Sequence, residues 1–198
     1  MTVELAVGCI VASNVLGLAL GILLFLGPWW VRAPITVYIF VVRGMPVLVL
    51  MFLSYFGLSA LGVDISSLAA VGGALVLYSA TYVTDTFRGA LRTVDAGQVL
   101  AGRSIGLRWW QLLWHVQLPQ SFSLAIPALI NNAIVTVKAT SYVSIVGVWE
   151  LTYASREVVE RTFAAFQIFV GVMVIYFAIC YPLGVLSRQL EKRFAFSL

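Results

Sequence analysis

The chain has 198 residues, of which 62% are hydrophobic and 10% charged, with a net charge of +4 and a mean hydropathy of +1.02. Soluble domains carry about 25% charged residues, so this chain lacks the charge to cover a water-facing surface. Composition excludes a soluble globular protein and requires lipid. The basic excess reads as membrane orientation, because Lys and Arg collect in cytoplasmic loops.

A membrane-spanning helix needs about 20 mostly apolar residues, and the charges divide the chain into such runs. Residues 5–26 form the first, ending before Gly27 and Pro28. Its length, its Glu4 and its lack of a basic leader mark a retained span, not a cleaved signal. Within it, Gly17 and Gly21 lie four apart, a spacing that lets two backbones approach closely. The second run, 35–61, is interrupted by Arg43 beside Gly44 and Pro46. The third covers 65–84. A mixed stretch with Arg92, Asp95, Arg103 and Arg108 follows, and then a fourth run, 122–148, containing Lys138. Polar residues 156–161 precede a fifth run, 162–187, and the basic tail Arg188, Lys192 and Arg193. Cys9 and Cys180 sit in apolar runs and are expected to be free, buried thiols.

The expected fold class is therefore an all-α membrane protein of five transmembrane helices, one domain over residues 1–198. Arg32, Arg92, Arg103, Arg108 and the basic tail fall on one side if the N-terminus is outside and the C-terminus inside. The long cytoplasmic loop, about 92–120, is too patterned for a tether. Residues 98–105 read as a short helix, and Gly106 can end it in the left-handed conformation. Trp109, Trp110 and Trp114 suit a segment lying at the membrane interface. A short protruding helix followed by an interfacial one forms a docking knob for a soluble partner.

At this point the chain resembles the permease subunits of bacterial ABC importers of the polar amino-acid uptake family. Their loop carries Glu-Ala-Ala, three residues, Gly, nine residues and Ile-x-Leu-Pro. Here Leu100-Ala101-Gly102, Gly106 and Val116-Gln117-Leu118-Pro119 fall at that spacing. Arg43-Gly44-Met45-Pro46 resembles the family's Arg-Gly-Thr-Pro. Tyr82-Val83-Thr84-Asp85-Thr86-Phe87-Arg88-Gly89 resembles its Tyr-x-x-Glu-x-x-Arg-Gly, and Val137-Lys138-Ala139-Thr140-Ser141 its Leu-Lys-Asp-Thr-Ser. Leu100 and Gly102 depart from the usual Glu and Ala of the loop.

The resemblance implies a type I importer transmembrane domain in a bacterial inner membrane. It implies a loop that couples to a separate ATPase through Gly97, Gln98, Leu100, Ala101, Gly102, Gly106, Leu118 and Pro119. It also implies a second, homologous permease chain forming a heterodimer, two ATPase subunits, and an external binding protein that delivers an amino acid. ATP and Mg would belong to the ATPase, because this chain has no Gly-x-x-x-x-Gly-Lys-Ser/Thr loop.

Ionisable residues inside spans are functional candidates, since burying a charge there costs at least about 2.5 kcal/mol. Candidate path residues are Arg43, Lys138, Thr140, Ser141 and Glu150. Each also has a structural reading. Arg43 would satisfy carbonyls freed at the Pro46 break, and Lys138 would pair with a buried carboxylate. Glu150 would mark a span boundary or attract a cationic substrate group. Asp85 and Arg88, three apart on a helix, are expected to pair with each other. His115 reads as an interfacial polar residue, and no His/Cys/Asp cluster calls for a metal. An ATP-independent channel or secondary carrier is the alternative, but the chain has neither a filter nor a coupling-ion site. A membrane enzyme would need a catalytic cluster, which is also missing.

Overall fold

Proline and glycine set the element boundaries. The structure is a computed structural model that describes residues 1–195. Helix α1 (Thr2–Leu26) runs through the first uncharged segment and stops where Gly27 turns extended. Helix α2 (Trp29–Arg43) follows Pro28 at once. Proline disfavours the helical region for the residue before it, and at Pro46 the chain breaks. Helix α3 (Val47–Ala60) leaves α2 at 105°. The expected span over 35–61, with its break at Pro46, is thus a sharply bent pair that starts earlier, at Trp29.

Helix α4 (Ser67–Thr93) is capped by the Ser66 hydroxyl, which accepts from the Ala69 amide at 3.3 Å. It continues past the expected end at residue 84 and takes Arg88 and Arg92 into the helix. Helix α5 is Ala96–Ser104. Helix α6 (Trp109–Val146) joins the expected interfacial segment and the fourth span into one element. It holds a widened π-helical turn at Leu113–Gln117, directly before Pro119, which cannot donate to the carbonyl four residues back. The polar stretch expected over 156–161 is part of helix α7 (Leu151–Thr162), and α8 is Ala165–Ala195. No strand occurs among the described residues. Helices α1, α4, α6 and α8 are each long and apolar enough to cross a membrane, and the bent α2–α3 pair makes a fifth if it counts as one span.

Helix α4 is the central pillar. Its contact with α1 is the most extensive in the fold, and α6 packs on another of its faces. The glycine pair explains how α1 comes so close. A Cβ at Gly17 would overlap the Val83 side chain and lie 2.8 Å from the Ala80 carbonyl oxygen; one at Gly21 would lie 3.1 Å from the Thr84 carbonyl oxygen. One apolar cluster, including Met51, Leu75 and Val143, fills the end where α3 meets α4. A second, including Phe87, Leu91, Leu113 and Leu118, fills the end near α5. Cys9 and Cys180 are free and buried, as expected. The outer helix α8 leaves Phe166, Met173 and Phe177 exposed, a surface that lipid or another apolar partner must cover.

Gly17→Val should therefore destabilise the α1–α4 seam by about 1–3 kcal/mol, the usual cost of overpacking. Gly8, where an added Cβ meets nothing within 4 Å, is the control. Thermal unfolding in detergent checks this: Gly8→Val should melt with the wild type and Gly17→Val clearly below it.

Candidate functional site

The loop between α4 and α6 is folded around a short helix that is capped at both ends. Asp95 Oδ1 accepts from the amides of Gly97 (2.6 Å) and Gln98 (3.2 Å), capping the start of α5. At the other end Gly106 adopts φ +84. The Leu107 amide donates to the Gly102 carbonyl and the Gly106 amide to the Arg103 carbonyl, each at 3.0 Å. That pair of bonds closes a Schellman cap, which needs a left-handed residue that glycine adopts without strain.

The side chains of α5 divide into two sets. Leu100 is 62% exposed, and Gly97, Gln98 and Ala101 are exposed with it. Gly102 is buried: a Cβ there would run into Leu112 and come within 3.3 Å of Leu107. The small residue at position 102 thus admits α6 and does not belong to the outward face. Gln120 Nε2 donates to Gln98 Oε1 at 2.6 Å, tying α5 to the foot of α6. Leu118 is buried in the cluster with Phe87 and Leu91, while Pro119 is exposed. Asp95 and Gln120 were not among the sequence candidates. The N-cap rule applied to Asp95 would have found the first, whereas no local pattern points to the second.

At the α2–α3 break, Arg43 reaches across to α4. Its Nη1 pairs with Asp85 Oδ2 at 2.7 Å. Its Nε donates to Thr81 Oγ1 at 3.2 Å and its Nη2 to the Thr81 carbonyl at 2.6 Å. The guanidinium also stacks on the Tyr82 ring, 4.3 Å from its centroid. Two sequence readings are corrected here. Asp85 pairs with Arg43 and not with Arg88, and Arg43 satisfies a carbonyl of α4 instead of those at its own break.

The other candidates lie apart from Arg43. Lys138 is exposed and has no ion pair among the described residues, against the expected buried one. The Thr140 hydroxyl donates to the Val137 carbonyl, and that of Ser141 to the Lys138 carbonyl. Glu150 is 2% exposed and turned inward: Oε1 accepts from the Tyr153 amide at 2.9 Å and Oε2 from the Tyr176 hydroxyl at 3.2 Å. It stands at a helix boundary, as expected, capping α7 and joining it to α8, but its carboxylate faces inward and is not placed to attract a cationic group from solvent.

A cavity of about 300 Å³ does open between α4 and α6. Tyr78, Ser79, Tyr82, Thr86, Asn131, Asn132 and Thr136 supply its polar lining, and no charged side chain contributes. The Tyr78 and Tyr82 hydroxyls bond at 3.0 Å, as do those of Ser79 and Thr136. The Asn132 Nδ2 is buried without a hydrogen-bond partner among the described residues. A search of the sequence for intramembrane charge passes over this site because its polarity is neutral. No group of three metal-ligating residues occurs among the described residues.

The model of the family described as "Binding-protein-dependent transport system inner membrane component" matches residues 13–196. The chain is 33% identical over 184 residues to the probable amino-acid ABC transporter permease protein YckA of Bacillus subtilis (strain 168), covering 93% of this chain and 81% of that protein. It is 32% identical over 197 residues to the glutamine transport system permease protein GlnP of Escherichia coli (strain K12), covering 98% and 89%. Its fold superposes on a chain of the crystal structure of an amino acid ABC transporter with histidines, with a TM-score of 0.90, 30% identity, and coverage of 98% and 90%. An inward-facing MetNI methionine ABC transporter shares the fold at a TM-score of 0.78 and 19% identity.

The hinge geometry has a measurable consequence. Arg43→Gln and Asp85→Asn should each lower the unfolding midpoint, and the double variant should lose less than the sum. Both side chains are partly exposed, so a double-mutant cycle should give a coupling of about 1 kcal/mol.

Proposed function

Because the chain belongs to the family of binding-protein-dependent transport system inner membrane components, with the type I importer transmembrane fold, we propose that it is one permease subunit of an ATP-driven amino-acid importer. It works in a bacterial inner membrane with its N-terminus outside and its C-terminus inside. It forms the translocation path with a second, homologous permease chain. Two ATPase subunits bind ATP and Mg and dock on the loop 92–120, and an external binding protein delivers the amino acid.

The observation that carries this reading is the sealed, protruding helix α5. A coupling element has to pass displacement without bending. Asp95 fixes its start, the Gly106 turn fixes its end, and the Gln98–Gln120 bond joins it to α6. Leu100 and Ala101 are the exposed side chains that meet the ATPase. A partner movement at α5 then tilts α6, and through Leu113 and Leu118 it reaches Phe87 and Leu91 of α4.

The substrate path runs past the neutral cavity between α4 and α6. Burying a charged side chain there would need a counter-charge, and the lining offers only hydroxyls and carboxamides. The reading therefore favours an amino acid whose side chain is uncharged and hydrogen-bonding, of the glutamine type. With Glu150 turned inward as a cap, the argument for a basic substrate loses its charge.

The decisive test is reconstitution in liposomes with the ATPase and binding protein. Gly106→Val forces a β-branched residue into φ > 0 and should leave ATP hydrolysis running while amino-acid uptake falls at least about tenfold. Undiminished coupled uptake would remove the docking role, and uptake by the purified chain alone would favour a channel or carrier. Asn132→Leu should raise the KM for glutamine uptake with assembly unchanged.

A further inference from the structure

A second cavity, of about 510 Å³, opens between α1, α2 and α4 on a different side of the pillar from the neutral one. Leu24, Ile39 and Phe40 wall it, and Arg43, Asp85 and Arg88 supply its charge. Two guanidiniums and one carboxylate leave it one positive charge in excess. That excess belongs to Arg88. Every nitrogen of Arg43 is engaged, with Asp85 or Thr81. Arg88 makes no hydrogen bond or ion pair with any described residue, and its Nε is buried without a partner. An unpaired guanidinium within a membrane helix is costly, and the remedy is an anion from outside the chain.

We propose that this cleft binds the phosphate of an anionic phospholipid headgroup, with Arg88 as its principal ligand. The proposal rests on the reading that α4 crosses the membrane and that its Thr93 end faces the cytoplasm. The cleft sits toward that end, where basic pockets between helices bind anionic headgroups. Its rim is apolar: Phe40 is 80% exposed at the mouth, next to a helix face on which Val37 and Val41 are also exposed, as acyl chains require. Helix α2 begins with the exposed pair Trp29 and Trp30, followed by Arg32, the composition of a membrane–water boundary. A phosphate offers oxygens to a planar fork of N–H donors, the geometry that guanidinium groups match best. A substrate carboxylate fits less well, because Arg88 takes no part in the lining of the neutral cavity.

The test needs no transport assay, so its failure is separable from failure of the permease reading. The full chain, with any subunits that co-purify, is placed in nanodiscs of phosphatidylcholine with or without phosphatidylglycerol. Lipid retained on release is counted by native mass spectrometry, and unfolding midpoints are compared. The wild type should retain phosphatidylglycerol and melt higher in its presence. Arg88→Gln should retain it roughly tenfold less, and Ile39→Trp, which fills the cleft without touching a charge, should do the same. Arg156→Gln, at an exposed position of α7, should behave as the wild type. Equal retention by wild type, Arg88→Gln and Ile39→Trp would overturn the proposal. So would release of a co-purified subunit by Arg88→Gln with retention unchanged, which would assign Arg88 to a protein carboxylate. Stabilisation of the detergent-solubilised wild type by inorganic phosphate, matching that by phosphatidylglycerol, would assign the site to free phosphate instead of lipid.

Discussion

Away from water, a polar group must find its partner inside the protein or in a ligand, and the rest of this structure is arranged around α4 to meet that demand. Its faces are used in turn. Ala80, Val83, Thr84 and Phe87 receive the glycine stripe of α1. Thr81, Tyr82 and Asp85 receive the guanidinium of Arg43. Ser79 hydrogen-bonds Thr136 of α6. At about 100° per residue these three sets point in different directions, so one helix can anchor three neighbours. The break at Gly44–Pro46 is tolerable because Arg43 ties it to this pillar.

The same economy runs through the helix ends. Asp95, Glu150 and Ser66 each cap a helix with a side-chain oxygen. Thr2 accepts from the Leu151 amide at 2.9 Å, which brings the start of α1 to the start of α7. At the opposite end, the Ser187 hydroxyl donates to the Pro127 carbonyl at 3.0 Å and holds α8 against α6. Under the coupling role proposed for α5, these fastenings let α4 and α6 move as stiff rods. Displacement is then absorbed at the neutral cavity between them and at the α2–α3 hinge.

Much of this was legible in the residues. Lipid residence follows from composition, and the spans from charge spacing. The end of α5 follows from Gly106, whose left-handed turn appears as the pattern required. The close approach of α1 follows from Gly17 and Gly21. Boundaries were less legible where helices outrun the hydrophobic stretch. Helix α4 carries Arg88 and Arg92 because its backbone bonding runs on through them until Val94 turns extended. Helix α6 starts at Trp109 because a π-helical turn carries it through to Pro119.

The sequence by itself determined that this chain lives in lipid, that its helices break at Pro28, Pro46 and Gly106, and that a short helix stands between its third and fourth apolar runs. These are matters of composition and local backbone chemistry, and they act within a few residues. Only the tertiary structure decided which charge meets which. Asp85 had Arg88 one turn away, yet it pairs with Arg43 because a 105° bend delivers that residue from another helix. Glu150 stands at a helix boundary as its place in the chain suggests, yet its carboxylate folds inward onto Tyr153 and Tyr176 instead of facing outward. Ion pairs depend on distance in space, and in a bundle that distance is set by how helices cross, which no local pattern records.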